Sequence, residues 1–403
     1  MTASIWKRAA CRVLQAGMKI GNYFLPFRIP ERLTGAGCVK QLPDLILKKG
    51  ISRVLLVTDN GLMKIGLPNG LIRAMEEAGL QYTLFSDIQQ NPTNENVEAG
   101  LAKYKEGNCQ AIVAFGGGSP MDCAKGIACR LAHPHHSIAQ LQGLITIHKR
   151  IVPIFAIPTT SGTGSETTVA AVLTVAKTHH KASINDPVIM PHYAVLDPEL
   201  TVGLPPFITA TTGMDALCHA VESYTNMNYC TKLEKDFSKK AVRLIYDNLY
   251  RAYRDGSDLE ARQNMQMAAF YAGRSFTRGC VGNIHGIGHT LGGLYGVPHG
   301  LAMSVIQPYA LRQYGSAVDH RLADLADACG MEGANDHEKA ERFIAWIEEM
   351  NRKMEIPKGF DVIRDEDIEQ IITWADKEVN PLYPVPVIFS REDFRQLIES
   401  IRL

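Results

Sequence analysis

From about residue 50 the chain alternates short apolar runs with amphipathic stretches. S-R-V-L-L-V-T-D (52–59), Q-Y-T-L-F-S-D (81–87), A-I-V-A-F (111–115) and I-V-P-I-F-A-I-P (151–158) have the length and composition of strands. Apolar runs without polar alternation predict strands covered on both faces, as in a parallel sheet. Residues 70–79 and 94–107 read as intervening helices, with Val97, Leu101 and Tyr104 on one side of the second. This alternation predicts an open, mostly parallel, Rossmann-like α/β sheet. Beyond L-T-V-G-L-P-P-F (200–207) the pattern becomes helical over 207–226, 231–254, 258–279, 317–328 and 337–353, and no strand is predicted. Pro205 and Pro206 mark the edge. The expected organisation is an N-terminal extension (1–26), an α/β domain (27–204) and an all-helical domain (205–403).

The extension has its own pattern. Ile5, Ala9, Val13 and Ile20, with Trp6, Leu14 and Met18 nearby, recur at helical spacing among Lys7, Arg8, Arg12 and Lys19. They predict a basic amphipathic helix, packed on its own protein or at a subunit interface, or else touching a membrane surface. It lacks the uninterrupted apolar region and cleavage site of a signal peptide. No apolar run reaches the roughly 18–20 residues of a membrane span.

Composition narrows the classes. With 403 residues, 46% hydrophobic and 21% charged, the chain has apolar material for two or three domains. Lys plus Arg equals Asp plus Glu at 42 each, so no basic surplus points to nucleic acid. Nine scattered cysteines without a C-x-x-C fit a reducing, cytoplasmic compartment better than a disulfide framework.

The densest chemistry lies in N-I-H-G-I-G-H-T-L-G-G-L-Y-G-V-P-H-G (283–300), which holds His285, His289 and His299. Upstream, G-M-D-A-L-C-H-A-V-E (213–222) carries Asp215 and His219 at i,i+4, so both project from one helix face. His285 and His289 share that spacing. Two such pairs, with a further group on a following loop, can converge on one divalent cation of the Fe(II) or Zn(II) type and leave a position open for substrate. A single D-x3-H match is common in helices that bind nothing; the combination is not.

Two loops at strand ends point to a nucleotide. Gly116–Gly117–Gly118–Ser119 follows a strand and opens a helix, with Ser119 expected as N-cap, Pro120 first and Asp122 third. Glycine backbone N–H groups at a helix start suit a pyrophosphate, although G-x-G-x-x-G is absent. In Thr159–Glu166 every residue but Glu166 is Thr, Ser or Gly, again at a strand end. Asp59 ends the first strand, where a carboxylate can accept from a ribose 2′-hydroxyl and favour NAD over NADP, or can bond its own turn.

These residues carry a resemblance to the iron-containing (group III) alcohol dehydrogenases, from about residue 27 to the C-terminus. It is most specific in G-G-G-S-P-M-D-C-A-K (116–125), P-T-T-S-G-T-G-S-E (158–166), G-M-D-A-L-C-H-A-V-E and H-G-I-G-H-x9-H-G (285–300). The resemblance implies the dehydroquinate synthase-like fold, with an α/β domain, a helical domain and an active site in the cleft between them. It places Asp215, His219, His285 and His299 at metal-ligand positions and His289 at a non-ligating position beside the substrate. Gly117, Gly118, Ser119 and Asp122 match its pyrophosphate loop, and Thr159, Thr160 and Ser165 its second cofactor loop. Asp59 matches the NAD-selecting position, Lys181 a lysine near the nicotinamide ribose, and Phe276 an aromatic wall of the substrate pocket. Cys218 stands where many members have Thr, and residues 1–26 have no counterpart in the family core. A dimer is the family's common minimum.

The implied activity is an NAD-linked, iron-dependent (or zinc-dependent) alcohol dehydrogenase or aldehyde reductase acting on a small-to-medium primary alcohol. His289 is the candidate for relaying the hydroxyl proton. Two alternatives stand beside it. One is a polyol dehydrogenase of the glycerol or propanediol type; the other is a non-catalytic NAD-binding protein, which an incomplete ligand set would favour.

Overall fold

The computed structural model describes residues 5–89, 91–174, 181–227 and 229–403. The chain divides into two compact units: 26–204 with 257–266, and 1–25 with 205–256 and 267–403.

Among the described residues the first unit holds nine strands: β1 Glu31–Thr34, β2 Arg53–Val57, β3 Gln81–Phe85, β4 Ala111–Gly116, β5 Gly143–Leu144, β6 Ile154–Pro158, β7 Ala170–Thr174, β8 Lys181–Asn185 and β9 Tyr193–Leu196. Six form an all-parallel sheet in the order β1-β9-β6-β4-β2-β3. Its inner strands β2, β4 and β6 are near-continuous apolar runs because both faces are covered, whereas the edge strands β1 and β3 carry polar, partly exposed residues. Leu55, Val57, Ile112 and Ala114 point into one core, and Val54, Leu56, Val113 and Phe115 into the other. The predicted strand at 151–158 is ordered as a strand only from Ile154, after Pro153. A smaller sheet, β5-β8-β7, joins two parallel residues to an antiparallel pair.

This order places function-bearing loops side by side. β6, β4 and β2 are neighbours, so the segments after Pro158, Gly116 and Val57 leave the same sheet end together. The chain runs outward from β2 to β3, then returns to the other side of β2 as β4. Ligands of open α/β sheets sit at the carboxyl ends of strands at such a reversal.

The second unit is helical; among the described residues no strand follows Leu196. Its helices include Pro206–Thr225, which begins with Pro at its first position, Asn283–Tyr295, His299–Tyr314 and Ile368–Val379. The N-terminal helix α1, Ile5–Phe24, belongs to this unit. No described helix is long and apolar enough to cross a membrane.

Candidate functional site

Asp215 and His219 lie one turn apart on Pro206–Thr225, which is almost wholly buried from Thr209 onward. His285 and His289 occupy the same spacing on Asn283–Tyr295. His299 was expected on a loop; it is instead the first residue of His299–Tyr314, because Pro298 ends the extended link and primes the helix. The next residue explains how closely that helix packs. A Cβ on Gly300 would stand 2.6 Å from Thr211 O, so only glycine admits the approach.

One donor atom from each of Asp215, His219, His285 and His299 falls within 4.8 Å of the others. Asp215 Oδ1 is 3.3 Å from His299 Nε2 and 4.0 Å from His219 Nε2. The first three residues are 2–4% exposed, whereas the His299 side chain is 36% exposed and gives the cluster its open side. Asp215 Oδ1, His219 Nδ1 and His285 Nε2 are buried without a hydrogen-bond partner. Leaving a buried carboxylate oxygen and imidazole nitrogens unmatched is costly. A divalent cation removes that cost at Asp215 Oδ1 and His285 Nε2, and one carboxylate with three imidazoles suits Fe(II) and Zn(II). The residues present therefore fit the ion.

Protonation favours the same reading. Burial lowers His219 to about 3 and holds His285 well below its ordinary value, so both are neutral with lone pairs available. Burial opposes the ionisation of Asp215, yet the surrounding imidazoles outweigh it and hold Asp215 below the usual carboxylate range. Glu222, whose carboxyl burial raises to about 7, faces the Nδ1 edge of His285. Its Oε2 lies 2.5 Å from His285 Nδ1 and its Oε1 accepts from Ile284 N at 2.9 Å. With Nδ1–H donated to Glu222, the unmatched Nε2 is left as the donor atom. Cys218 packs 3.9 Å from His285 Nδ1, and burial keeps its thiol protonated.

His289 stands beside the cluster rather than in it. Its ring is stacked 5.2 Å from His299, and its Nδ1 is 2.7 Å from Glu378 Oε1, which also accepts from Tyr383 Oη at 3.3 Å. Phe276 lies flat against His219, with ring centroids 4.1 Å apart. Sequence reasoning missed both carboxylates. Glu222 was within reach, one turn past His219 in the quoted motif; Glu378 had no such signal.

The cofactor-loop residues gather in the first unit. Gly116 has φ +149°, and a Cβ there would meet Pro120 Cγ at 2.6 Å. Ser119 is not the N-cap. The helix runs Gly118–Ala132 with Gly117 as its cap and no side-chain acceptor at its start, because glycine reaches this turn unaided. Ser119 Oγ instead accepts from Asn91 N at 3.3 Å. The second loop packs on the first: Thr159 N donates to Gly116 O at 3.1 Å, and a Cβ on Gly117 would meet Thr160 Oγ1 at 3.7 Å. Ser165 Oγ donates to Asp122 Oδ1 at 3.2 Å. Lys125, not singled out from sequence, ties them further. Its fully buried Nζ donates to Ser165 Oγ, Thr168 Oγ1 and Ala170 O at 2.8–3.0 Å, and burial lowers it to about 8. Asp59 caps Asn60–Lys64, with Oδ1 accepting from Leu62 N at 2.9 Å. Lys181 opens β8, but its side chain lies outside the described residues.

Comparison with known proteins gives concordant matches. The profile for "Iron-containing alcohol dehydrogenase" matches residues 30–198, and that for "Fe-containing alcohol dehydrogenase family, C-terminal" matches 209–402. An NAD-dependent methanol dehydrogenase of Bacillus methanolicus is 36% identical over 94% of this chain and 99% of its own length. A 1,3-propanediol dehydrogenase of Klebsiella pneumoniae is 38% identical over 77% of this chain and 80% of its own. The crystal structure of a 1,3-propanediol oxidoreductase superposes with a TM-score of 0.89 at 32% identity, covering 93% of this chain and 99% of that one.

Proposed function

The chain belongs to the iron-containing alcohol dehydrogenase family, and from that premise we propose that it transfers a hydride between NAD and a small-to-medium primary alcohol or its aldehyde. The observation that carries the reading is the group of four donors, three of them with a buried atom that no protein group satisfies. Asp215, His219, His285 and His299 are assigned as ligands of a divalent cation, iron in this family, with Zn(II) suited to the same donors. The bound ion supplies Lewis-acid polarisation of the substrate oxygen, and NAD supplies the hydride acceptor.

The protein's own residues set the conditions. Glu222 holds the Nδ1 proton of His285, so that Nε2 faces the ligand group as an acceptor. Burial keeps His219 neutral, and Phe276 covers its ring and serves as an apolar wall for the substrate carbon chain. His289, fixed through Nδ1 by Glu378, exchanges the hydroxyl proton at Nε2. The α/β unit is assigned as the dinucleotide domain. Gly117, Gly118 and Ser119 present backbone N–H groups to the pyrophosphate. Asp122, Thr159, Thr160 and Ser165 shape its border, Asp59 takes the ribose, and Lys181 is kept as a candidate beside the nicotinamide ribose. A diol is a second substrate reading, favoured by relatives named for 1,3-propanediol. Nine unpaired cysteines support a reducing, cytoplasmic setting, and a homodimer is the proposed assembly.

His219→Ala tests the ligand assignment. Bound metal and alcohol oxidation are expected to fall together while NADH binding, read by fluorescence, persists. Full metal content in the variant would remove His219 from the ligand set.

A further inference from the structure

Helix α1 is turned opposite to an ordinary surface helix. Three of its polar side chains, Lys7, Arg12 and Gln15, face its own protein: Lys7 Nζ reaches Asp376 Oδ1 at 2.7 Å and Arg12 Nη2 donates to Pro386 O at 3.1 Å. Gln15, fully buried, donates to the carbonyls of Tyr383 and Pro381 at 2.8 and 3.1 Å. Its apolar side chains face outward, with Trp6, Val13, Ile20 and Phe24 exposed to 81, 74, 65 and 77%. Amphipathic helices normally bury the apolar face. This one uses its polar face to anchor itself and presents the other.

The outward face is self-complementary. Trp6, Ala10, Val13, Gly17, Ile20 and Phe24 recur at alternating steps of four and three, a heptad seam of exposed positions. Set against a second copy in antiparallel register about an axis at residue 15, Trp6 meets Phe24, Ala10 meets Ile20, and Val13 meets Gly17. Each pairing occurs twice, as a two-fold interface requires. In the inner layers a small residue faces a large one, which is how facing helices interdigitate. We propose that this face is an isologous interface, in which α1 of one copy packs antiparallel on α1 of a second copy. The proposal rests on the homo-oligomer reading above and adds the surface.

The area is of the right size. Trp6, Tyr23 and Phe24, each about three-quarters exposed, carry ~150–250 Å² apiece. With Ile5, Val13 and Ile20 the face approaches the ~800 Å² that each partner contributes to a standard interface. An anionic bilayer fits less well. It draws on basic side chains beside the apolar face, whereas Lys7 and Arg12 are bonded inward and Lys19 is the charged residue at an exposed position.

Sedimentation equilibrium of the full chain at micromolar concentration tests this. Val13→Glu sets a carboxylate against Gly17 of the other copy, and circular dichroism checks that the exposed substitution leaves the fold intact. The wild type is expected at twice the mass of V13E, and V13E/G17K is expected to regain the wild-type mass through paired charges. A V13E that keeps the wild-type mass above the monomer overturns the surface and spares the oligomer. A V13E/G17K that stays small overturns the antiparallel register. A monomeric wild type overturns surface and oligomer alike, and its flotation with phosphatidylglycerol vesicles, lost in V13E, would assign the face to lipid.

Discussion

Glu222→Gln isolates how the cluster is prepared for its ion. The carboxylate answers two donors with two oxygens: Ile284 N at 2.9 Å and His285 Nδ1 at 2.5 Å. Glutamine keeps the shape but has one acceptor oxygen, so its NH2 must face either Ile284 N–H or the imidazole. In the first case a buried donor faces a donor, at a cost of about 1–3 kcal/mol. In the second, the amide donates to Nδ1 and drives the ring proton to Nε2, the atom that must accept. Loss of a carboxylate behind a metal-binding imidazole weakens metal affinity ~10–100-fold, or about 1.4–2.7 kcal/mol. Chelator competition with Zn(II) and Co(II) on wild type and variant measures the ratio, with circular dichroism of the metal-free forms as control. A folded variant whose affinity stays within about threefold of wild type refutes the reasoning.

Other perturbations address the wall, the helix approach and the buried acid. Phe276→Ala removes the ring stacked on His219; KM for a primary alcohol is expected to rise ~10-fold, from about 1.5 kcal/mol of lost apolar contact, with metal content unchanged. An unaltered KM would move the substrate wall elsewhere. Gly300→Ala places a methyl 2.6 Å from Thr211 O, and thermal unfolding is expected to register an overpacking loss of about 1–3 kcal/mol; an unchanged melting temperature counts against the close approach. Glu166, fully buried, is raised by burial from 4.5 to about 7, against its own backbone hydrogen bond and Lys125, which pull it down. The folded state therefore holds a proton that the unfolded chain has released between these values. Wild-type stability should fall across that window as pH rises, by up to about 3 kcal/mol, and level off above it. Urea titrations of wild type and Glu166→Gln between pH 4.5 and 8 should differ by that slope, and parallel curves would show that Glu166 ionises without penalty.

The parallel sheet was legible because strands buried on both faces must be continuously apolar, as V-L-L-V and A-I-V-A-F are. The small β5-β8-β7 sheet was not, since two residues at Gly143–Leu144 carry no period. The adjacency of Asp215 and His219 was legible because helical geometry turns i,i+4 spacing into proximity; the same spacing in His285 and His289 did not bring both into the cluster. What stands behind the ligands was only half legible. Glu222 shares a helix with Asp215 and His219, whereas Glu378 meets His289 from Ile368–Val379, and only tertiary packing joins them. Ser119 misled because a serine before Pro is a good cap by propensity, yet glycines at 116–118 let the helix start earlier. In α1 the periodicity predicted two faces, but not that Gln15 and Arg12 would turn the polar one inward.

The most direct test of the central claim is NADH formation, followed at 340 nm with a primary alcohol, by protein stripped with a chelator and reloaded anaerobically with Fe(II). Activity is expected to vanish on stripping, return with Fe(II), and fail to return in Asp215→Ala. Full activity in the stripped protein, or silence after loading with Fe(II), Zn(II) and Mn(II) across alcohols, diols and aldehydes, would contradict it.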